Sequence, residues 1–206
     1  MKEKICCIFG AGEYFGTEEV PENAFIIAAD AGVKVCTEKG LQPDIIIGDF
    51  DSLGHLLEGK NIIQLPVIKD DTDTLAAVKY GLKKGFKTFW LFGCTGGRLS
   101  HTVANIQTLT FLAKHGAAGF LTDKEEIATV TRKGFDFDEN NTGFVSVFAL
   151  EGDAVISECG LKYTLEHGMI REDFPLGVSN EFIGEKAQIT VHKGTVLIVF
   201  QKKKGF

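Results

Sequence analysis

The chain has 206 residues, room for one large domain or two small ones, and its 44% hydrophobic and 24% charged content is that of an ordinary globular protein. A net charge of −6 advertises no basic surface for nucleic acid, and no apolar run reaches the roughly 20 residues that would cross a membrane. Five cysteines (Cys6, Cys7, Cys36, Cys94 and Cys159), odd in number and without a CxxC pair, argue against a disulfide framework and a zinc site and fit thiols in a reducing, cytoplasmic compartment.

Met1–Lys4 and the short apolar stretch after it are too brief for a signal-peptide core and read as the approach to a strand at Ile5–Phe9. Further strands are expected at Ala24–Ala29, Ile45–Gly48, Ile62–Leu65, Thr88–Phe92 and Ala117–Leu121. They are almost continuously apolar, as strands buried on both faces of a parallel sheet must be. Between them, Thr74–Lys84 carries Leu75, Val78 and Leu82, and Thr102–Lys114 carries Val103, Ile106, Leu109 and Ala113, both at helical spacing. Gly85 and Gly116 stand where left-handed C-caps belong. From about Glu126 the helical period fades. Phe144–Leu150 and Ala154–Ser157 read as strands, and Ala187–Val191 with Val196–Phe200 as a hairpin turning at His192-Lys193-Gly194-Thr195. Turn formers between Lys133 and Gly143 place a boundary within 123–142. The expected fold class is α/β: a parallel-sheet, Rossmann-like domain over residues 1–125, then a small all-β sandwich over 140–206.

The chemistry concentrates at strand ends. In Ile47-Gly48-Asp49-Phe50-Asp51-Ser52, two carboxylates one residue apart share a side of an extended backbone and reach one divalent cation. Capping of a following helix is the structural alternative. Lys69-Asp70-Asp71-Thr72-Asp73 adds a second acidic cluster, read equally as a helix cap with favourable dipole placement. Its crowded acids call for a cation or a basic partner, and Lys69 stands beside them. Together the two clusters suit Mg2+ and a phosphate-bearing substrate. Gly93-Cys94-Thr95-Gly96-Gly97-Arg98 joins a strand to a helix, with amides open to phosphate and Arg98 as a bidentate clamp. It matches neither the Walker pattern nor GxGxxG. His101 reads as a phosphate donor or a helix-start histidine, and Gly10-Ala11-Gly12 as a phosphate-contacting or an ordinary turn. On its residues alone, Gly177-Val178-Ser179-Asn180-Glu181 is a turn satisfied by its own side chains.

Six segments in order resemble the bacterial thiamine pyrophosphokinase family: Ala29-Asp30-Ala31-Gly32, Pro43 through Ser52, Lys69 through Asp73, Gly96 through Asn105, Gly160-Leu161-Lys162-Tyr163 and Gly177 through Glu181. The resemblance implies transfer of the pyrophosphoryl group of ATP to thiamine, giving thiamine diphosphate and AMP. It implies Mg2+ as cofactor and a homodimer with sites at the subunit interface. The first domain is then catalytic and the second binds thiamine. By the same resemblance Asp49, Asp51 and Asp73 are metal and catalytic acids, with Asp70 beside them. Asp30, Gly96, Gly97, Arg98, His101 and Asn105 face the nucleotide, and Ser100, Tyr163, Ser179 and Asn180 face thiamine. Two departures stand out: Ala31 replaces a usual glycine, and Ser100 replaces a usual Asp. The alternatives are a related pyrophosphokinase acting on another hydroxymethyl heterocycle, such as a pterin, and a catalytically silent thiamine- or nucleotide-binding protein.

Overall fold

Apolar runs of four or five residues, each followed by a helix-forming stretch, bury both faces only in a sheet whose strands run the same way. The computed structural model describes residues 4–14, 20–50 and 61–203 and divides into two compact units, Met1–Lys124 and Glu125–Phe206. Asp51 and Ser52 lie outside the described residues.

The first unit contains β1 (Ile5–Phe9), β2 (Phe25–Ala29), α1 (Gly32–Glu38), β3 (Ile45–Gly48), β4 (Ile62–Gln64), α2 (Asp73–Lys83), β5 (Thr88–Phe92), α3 (Leu99–Lys114) and β6 (Ala118–Thr122). Its strands are parallel in the order β6-β5-β1-β2-β3-β4. The chain runs outward from β1 through β4 and then returns to β5 on the other side of β1. That reversal opens a crevice at the carboxyl ends of β1 and β5. Central β1 is fully enclosed over Cys6–Phe9. Glycine permits the close approach of α2 to the sheet, since a Cβ on Gly81 would stand 2.5 Å from the Phe89 ring. The short helix α1 was not among the expected elements; seven residues span two turns, too few for a periodic signal.

The second unit is antiparallel: β7 (Glu126–Thr131), β8 (Gly134–Phe137), β9 (Phe144–Cys159), β10 (Leu165–Ile170), β11 (Asn180–Glu181) and β12 (Ala187–Gln201). It takes in β7 and β8, which the expected start at residue 140 leaves out. The hairpin expected around His192–Thr195 is absent. Residues 187–201 form one strand, and both of its halves pair with β9. Its turn formers serve a bulge instead: the register shifts on either side of Lys193, with Gly194 at φ +94. Strand β9 bends in the same region, where Glu151 and Gly152 take φ of 61 and 103, so the two expected strands 144–150 and 154–157 are its two halves. The first half of β12 takes β8 as its other neighbour and the second half takes β7. Among the described residues no helix is long and apolar enough to cross a membrane.

Candidate active site

The first unit holds a cleft of about 570 Å3 at the carboxyl ends of its strands. Its floor is made by two loops stitched backbone to backbone: Gly10 N donates to Phe92 O (2.8 Å), Gly12 N to Gly93 O (2.7 Å) and Glu13 N to Thr95 O (3.0 Å). The approach tolerates no side chain, because a Cβ on Gly12 would stand 2.4 Å from Thr95 O. The amides of Gly10 and Gly12 are therefore spent on the neighbouring loop, while the turn itself lines the cleft. Asn105, buried on α3, donates from Nδ2 to Cys94 O (2.7 Å) and holds the second loop from behind. Its position makes it a support of the cleft wall. The Cys94 thiol is pushed up to about 12, by burial first, and is an inert part of that wall.

Acids enter from the ends of two strands and the start of a helix. Asp30 follows β2 in a left-handed conformation (φ 49), with its backbone N donating to Ile47 O at 2.8 Å. A Cβ on Gly48 would stand 2.9 Å from Asp30 Cα, so glycine at the end of β3 lets these two strand ends converge. Asp49 follows β3, and Asp73 opens α2 behind the N-cap Thr72, whose Oγ1 accepts from Leu75 N (3.1 Å). All three acids line the cleft. Asp71 also lines it, with Lys79 Nζ donating to both of its oxygens at 2.7 Å.

Lys69 links the two acidic clusters. Its Nζ donates to Asp49 Oδ2 at 2.8 Å and to Asp73 Oδ1 at 2.7 Å, and its side chain is only 14% exposed. Burial raises the Asp73 carboxyl above the ordinary range. The Lys69 contacts pull it down, but the charges of Asp49 and Asp30 push it further up. Burial alone would lower Lys69, yet its hydrogen bonds to Asp49 and Asp73 outweigh that and raise it. Across the cleft, Arg98 and His101 line the wall at the start of α3, together with Gly97.

Three expected participants stand elsewhere. Asp70 is exposed and does not line the cleft, because the turn before α2 presents its neighbours Lys69 and Asp71 inward instead. Gly96 and Ser100 are also exposed and do not line it, although both flank residues that do.

In the second unit, Ser179 is exposed in a left-handed conformation (φ 61), its N–H donating to Ser146 Oγ at 3.0 Å. Tyr163 is exposed too. Asn180 differs from both, being buried with every polar position of its amide engaged. Its Oδ1 accepts from Tyr163 N (3.0 Å) and Glu181 N (2.9 Å), while Nδ2 donates to Tyr163 O (2.7 Å) and Glu158 Oε2 (3.3 Å). Expected to touch substrate, Asn180 instead ties the 160–163 loop to the 177–181 turn. Glu158, its buried partner, was not anticipated, and burial raises its carboxyl above its ordinary value, offset in part by the Asn180 hydrogen bond. The strand phase could have found it, since Glu158 follows Ala154 and Ile156 on the inward face of β9.

The sequence profile described as "Thiamin pyrophosphokinase, catalytic domain" matches residues 17–120, and that described as "Thiamin pyrophosphokinase, vitamin B1 binding domain" matches residues 132–196. The chain is 27% identical over 187 residues to a thiamine pyrophosphokinase of Bacillus subtilis (strain 168), covering 86% of this chain and 87% of that protein. It is 27% identical over 196 residues to thiamin pyrophosphokinase 1 of Caenorhabditis elegans, covering 85% and 80%. The crystal structure of thiamine pyrophosphokinase from Bacillus subtilis matches with a TM-score of 0.83 at 25% identity, covering 97% of this chain and 99% of that one. Yeast thiamin pyrophosphokinase shares the fold, with a TM-score of 0.74 at 15% identity over 98% and 87% of the two chains.

Proposed function

We propose how this cleft works from the family to which the chain belongs: it is a member of the thiamin pyrophosphokinase family and carries thiamine diphosphokinase activity. The reaction transfers the pyrophosphoryl group of ATP to thiamine and releases AMP. The observation that best supports our assignment of its parts is the pairing of Asp49 and Asp73 across Lys69, in a cleft that Arg98 also lines beyond the carboxyl ends of the strands.

In our reading Arg98, His101 and the start of α3 receive the polyphosphate of ATP, where backbone amides and a guanidinium face incoming anions. Asp49 and Asp73, with Asp51 from the segment outside the described residues, would hold Mg2+. Among the described residues no three acidic, histidine or cysteine side chains gather as a ready-made metal site. Hard carboxylate oxygens in a pair nevertheless fit Mg2+, which typically takes one or two carboxylates and completes its shell with substrate phosphates and water. When bound, the cation supplies charge neutralisation on the phosphates in flight. The thiamine hydroxyl attacks the β-phosphorus in line; the new O–P bond forms as the bond from Pβ to the bridging oxygen of AMP breaks. Asp73, with its carboxyl raised by burial, accepts the hydroxyl proton. Ser179 and Tyr163 contact thiamine from the second domain, for which we propose a sandwich arrangement supported by its bent paired strands β9 and β12.

The active form is a homodimer in this reading, the acids of one chain facing Ser179 of its partner. Exposed apolar side chains (Tyr163, Met169, Phe174, Leu176 and Val178) support it. Mixing an Asp49→Asn chain with a Ser179→Ala chain is expected to restore activity through one intact composite site, and a freely exchanging mixture no more active than its components sinks the shared site. The thiols, four of them raised by burial to about 11 or beyond within the first unit, support a reducing cytoplasmic location. AMP release from ATP and Mg2+, measured with and without thiamine, tests the function: thiamine-independent release, or none, overturns it.

Ser100 offers a separate test. It lies in the first turn of α3, which carries no acidic residue and no side-chain cap. Ser100→Asp is expected to stabilise the chain by about 0.3–1 kcal/mol through the helix dipole. It is also expected to raise kcat/KM for thiamine by roughly tenfold, the worth of one charged hydrogen bond. Thermal melts and steady-state kinetics read the two effects, and an unchanged or lower kcat/KM removes Ser100 from the substrate site.

A further inference from the structure

The position of Lys69 carries a consequence beyond the family reaction. Its ammonium sits between Asp49 and Asp73, 2.8 and 2.7 Å from one oxygen of each, in a largely enclosed place. Those are the two carboxylates that, on the reading above, take the divalent cation. An ammonium and a metal ion cannot occupy the same gap between two carboxylates. We infer that Lys69 is an internal stand-in for the cation, one that keeps free divalent metal out of the cleft and yields its place only when a polyphosphate arrives to receive its charge.

The geometry gives Lys69 both partners. It precedes α2 by four residues and lines the same cleft as Arg98 and the glycine loop, so rotation about its long side chain moves Nζ from the acids toward a phosphate in that cleft. Two carboxylates half neutralised by a lysine, whose ammonium fills the gap between them, offer a bare cation less net charge and no open place. The same two carboxylates, with the lysine transferred to phosphate, offer a full pair and phosphate oxygens besides. Metal and nucleotide binding are thereby coupled, each raising the affinity of the other by the same factor. The arrangement also keeps the acids compensated between turnovers, when Asp30, Asp49 and Asp73 would otherwise face one another in a partly buried space.

The inference rests on the proposed cleft assignment, and equilibrium binding separates the two without measuring turnover. Mn2+ serves as the probe, followed by electron paramagnetic resonance on the full-length protein, with and without a non-hydrolysable ATP analogue. Wild-type protein is expected to bind Mn2+ alone weakly and to bind it at least about a hundredfold more tightly with the analogue. Lys69→Met is expected to bind Mn2+ alone at least about tenfold more tightly than wild type, to gain melting temperature from Mn2+ alone, and to lose most of the coupling. Lys69→Arg keeps the charge and is expected to stay weak for Mn2+ alone, and it covers the case in which the Met variant fails to fold. Equal affinity for Mn2+ alone in wild type and Lys69→Met overturns the stand-in role, as does tight binding of Mn2+ alone by Lys69→Arg. Failure of the analogue to bind wild-type protein at all, with or without Mn2+, overturns the underlying cleft assignment instead.

Discussion

Asp49→Asn and Asp73→Asn are each expected to lower kcat by at least about a thousandfold while the protein stays folded. Asparagine keeps the shape of the side chain, and its Oδ1 can still accept from Lys69 Nζ, so the hydrogen bonds at 2.8 and 2.7 Å survive in weakened form. Removing one negative charge also relieves crowding among Asp30, Asp49 and Asp73, whose charges add to the burial that raises the Asp73 carboxyl. Melting temperature is therefore expected to hold within about 5 °C. Catalysis has no such latitude. On the proposed reading a cation held between these acids would neutralise charge on the transferring group, and an interaction that strengthens as charge redistributes is lost from the transition state rather than from ground-state binding. Asp73→Asn additionally removes the proposed proton acceptor, so its residual rate is expected to be the lower of the two and to lose its rise with pH. Steady-state kinetics at saturating Mg2+ and circular-dichroism melts check both statements, and turnover within tenfold of wild type for either variant removes that residue from the mechanism.

The cleft was legible in the sequence because its acids sit at strand ends, and the strands announced themselves by being apolar throughout. Asp30, Asp49 and Asp73 all line it, as do Arg98 and His101. What one dimension could not separate was facing from flanking. Asp70, Asp71 and Asp73 are chemically alike, and only the turn into α2 decides that Asp71 and Asp73 line the cleft while Asp70 faces water. Asn105 and Asn180 were both expected against ligand; Asn105 lines the cleft while its Nδ2 supports a loop, whereas every polar position of the Asn180 amide is spent in a four-bond network. An amide reads the same in sequence whether it meets substrate or backbone. The long strands failed for a related reason. Lys193-Gly194 is a turn signal by composition, and a bulge uses the same residues as a hairpin; which one forms depends on whether β9 offers a continuous partner distant in sequence, as it does with Val155 opposite Lys193.

Asn180 and Glu158 give the second large effect, one of stability and substrate affinity rather than chemistry. Asn180→Ala leaves the N–H and C=O of Tyr163 and the N–H of Glu181 without their side-chain partner and takes from buried Glu158 the donor on its Oε2. Several buried polar groups losing partners together cost about 3–5 kcal/mol, which in a chain of this length corresponds to a drop of roughly 6–20 °C in melting temperature. Because Tyr163 and Ser179 lose their common anchor, KM for thiamine is expected to rise more than about tenfold with KM for ATP little changed. The Glu158 carboxyl gives the network a pH dependence whose sign is fixed. Burial raises its folded-state pKa, so its contribution to stability is complete below the ordinary carboxylate value and is lost as pH rises through the raised one. Glu158→Gln does not titrate and can still accept from Asn180, so its melting temperature is expected to gain on wild type as pH rises from the ordinary carboxylate value through the raised one. In the Asn180→Ala background, where Glu158 has lost that donor, the same Gln substitution is expected to recover part of the loss, a coupling that two independent sites would not show. Melts of the four proteins across that pH range decide the matter. A loss under about 2 °C for Asn180→Ala, or a Glu158→Gln difference that does not change with pH, means that this network does not hold the 160–163 loop against the 177–181 turn.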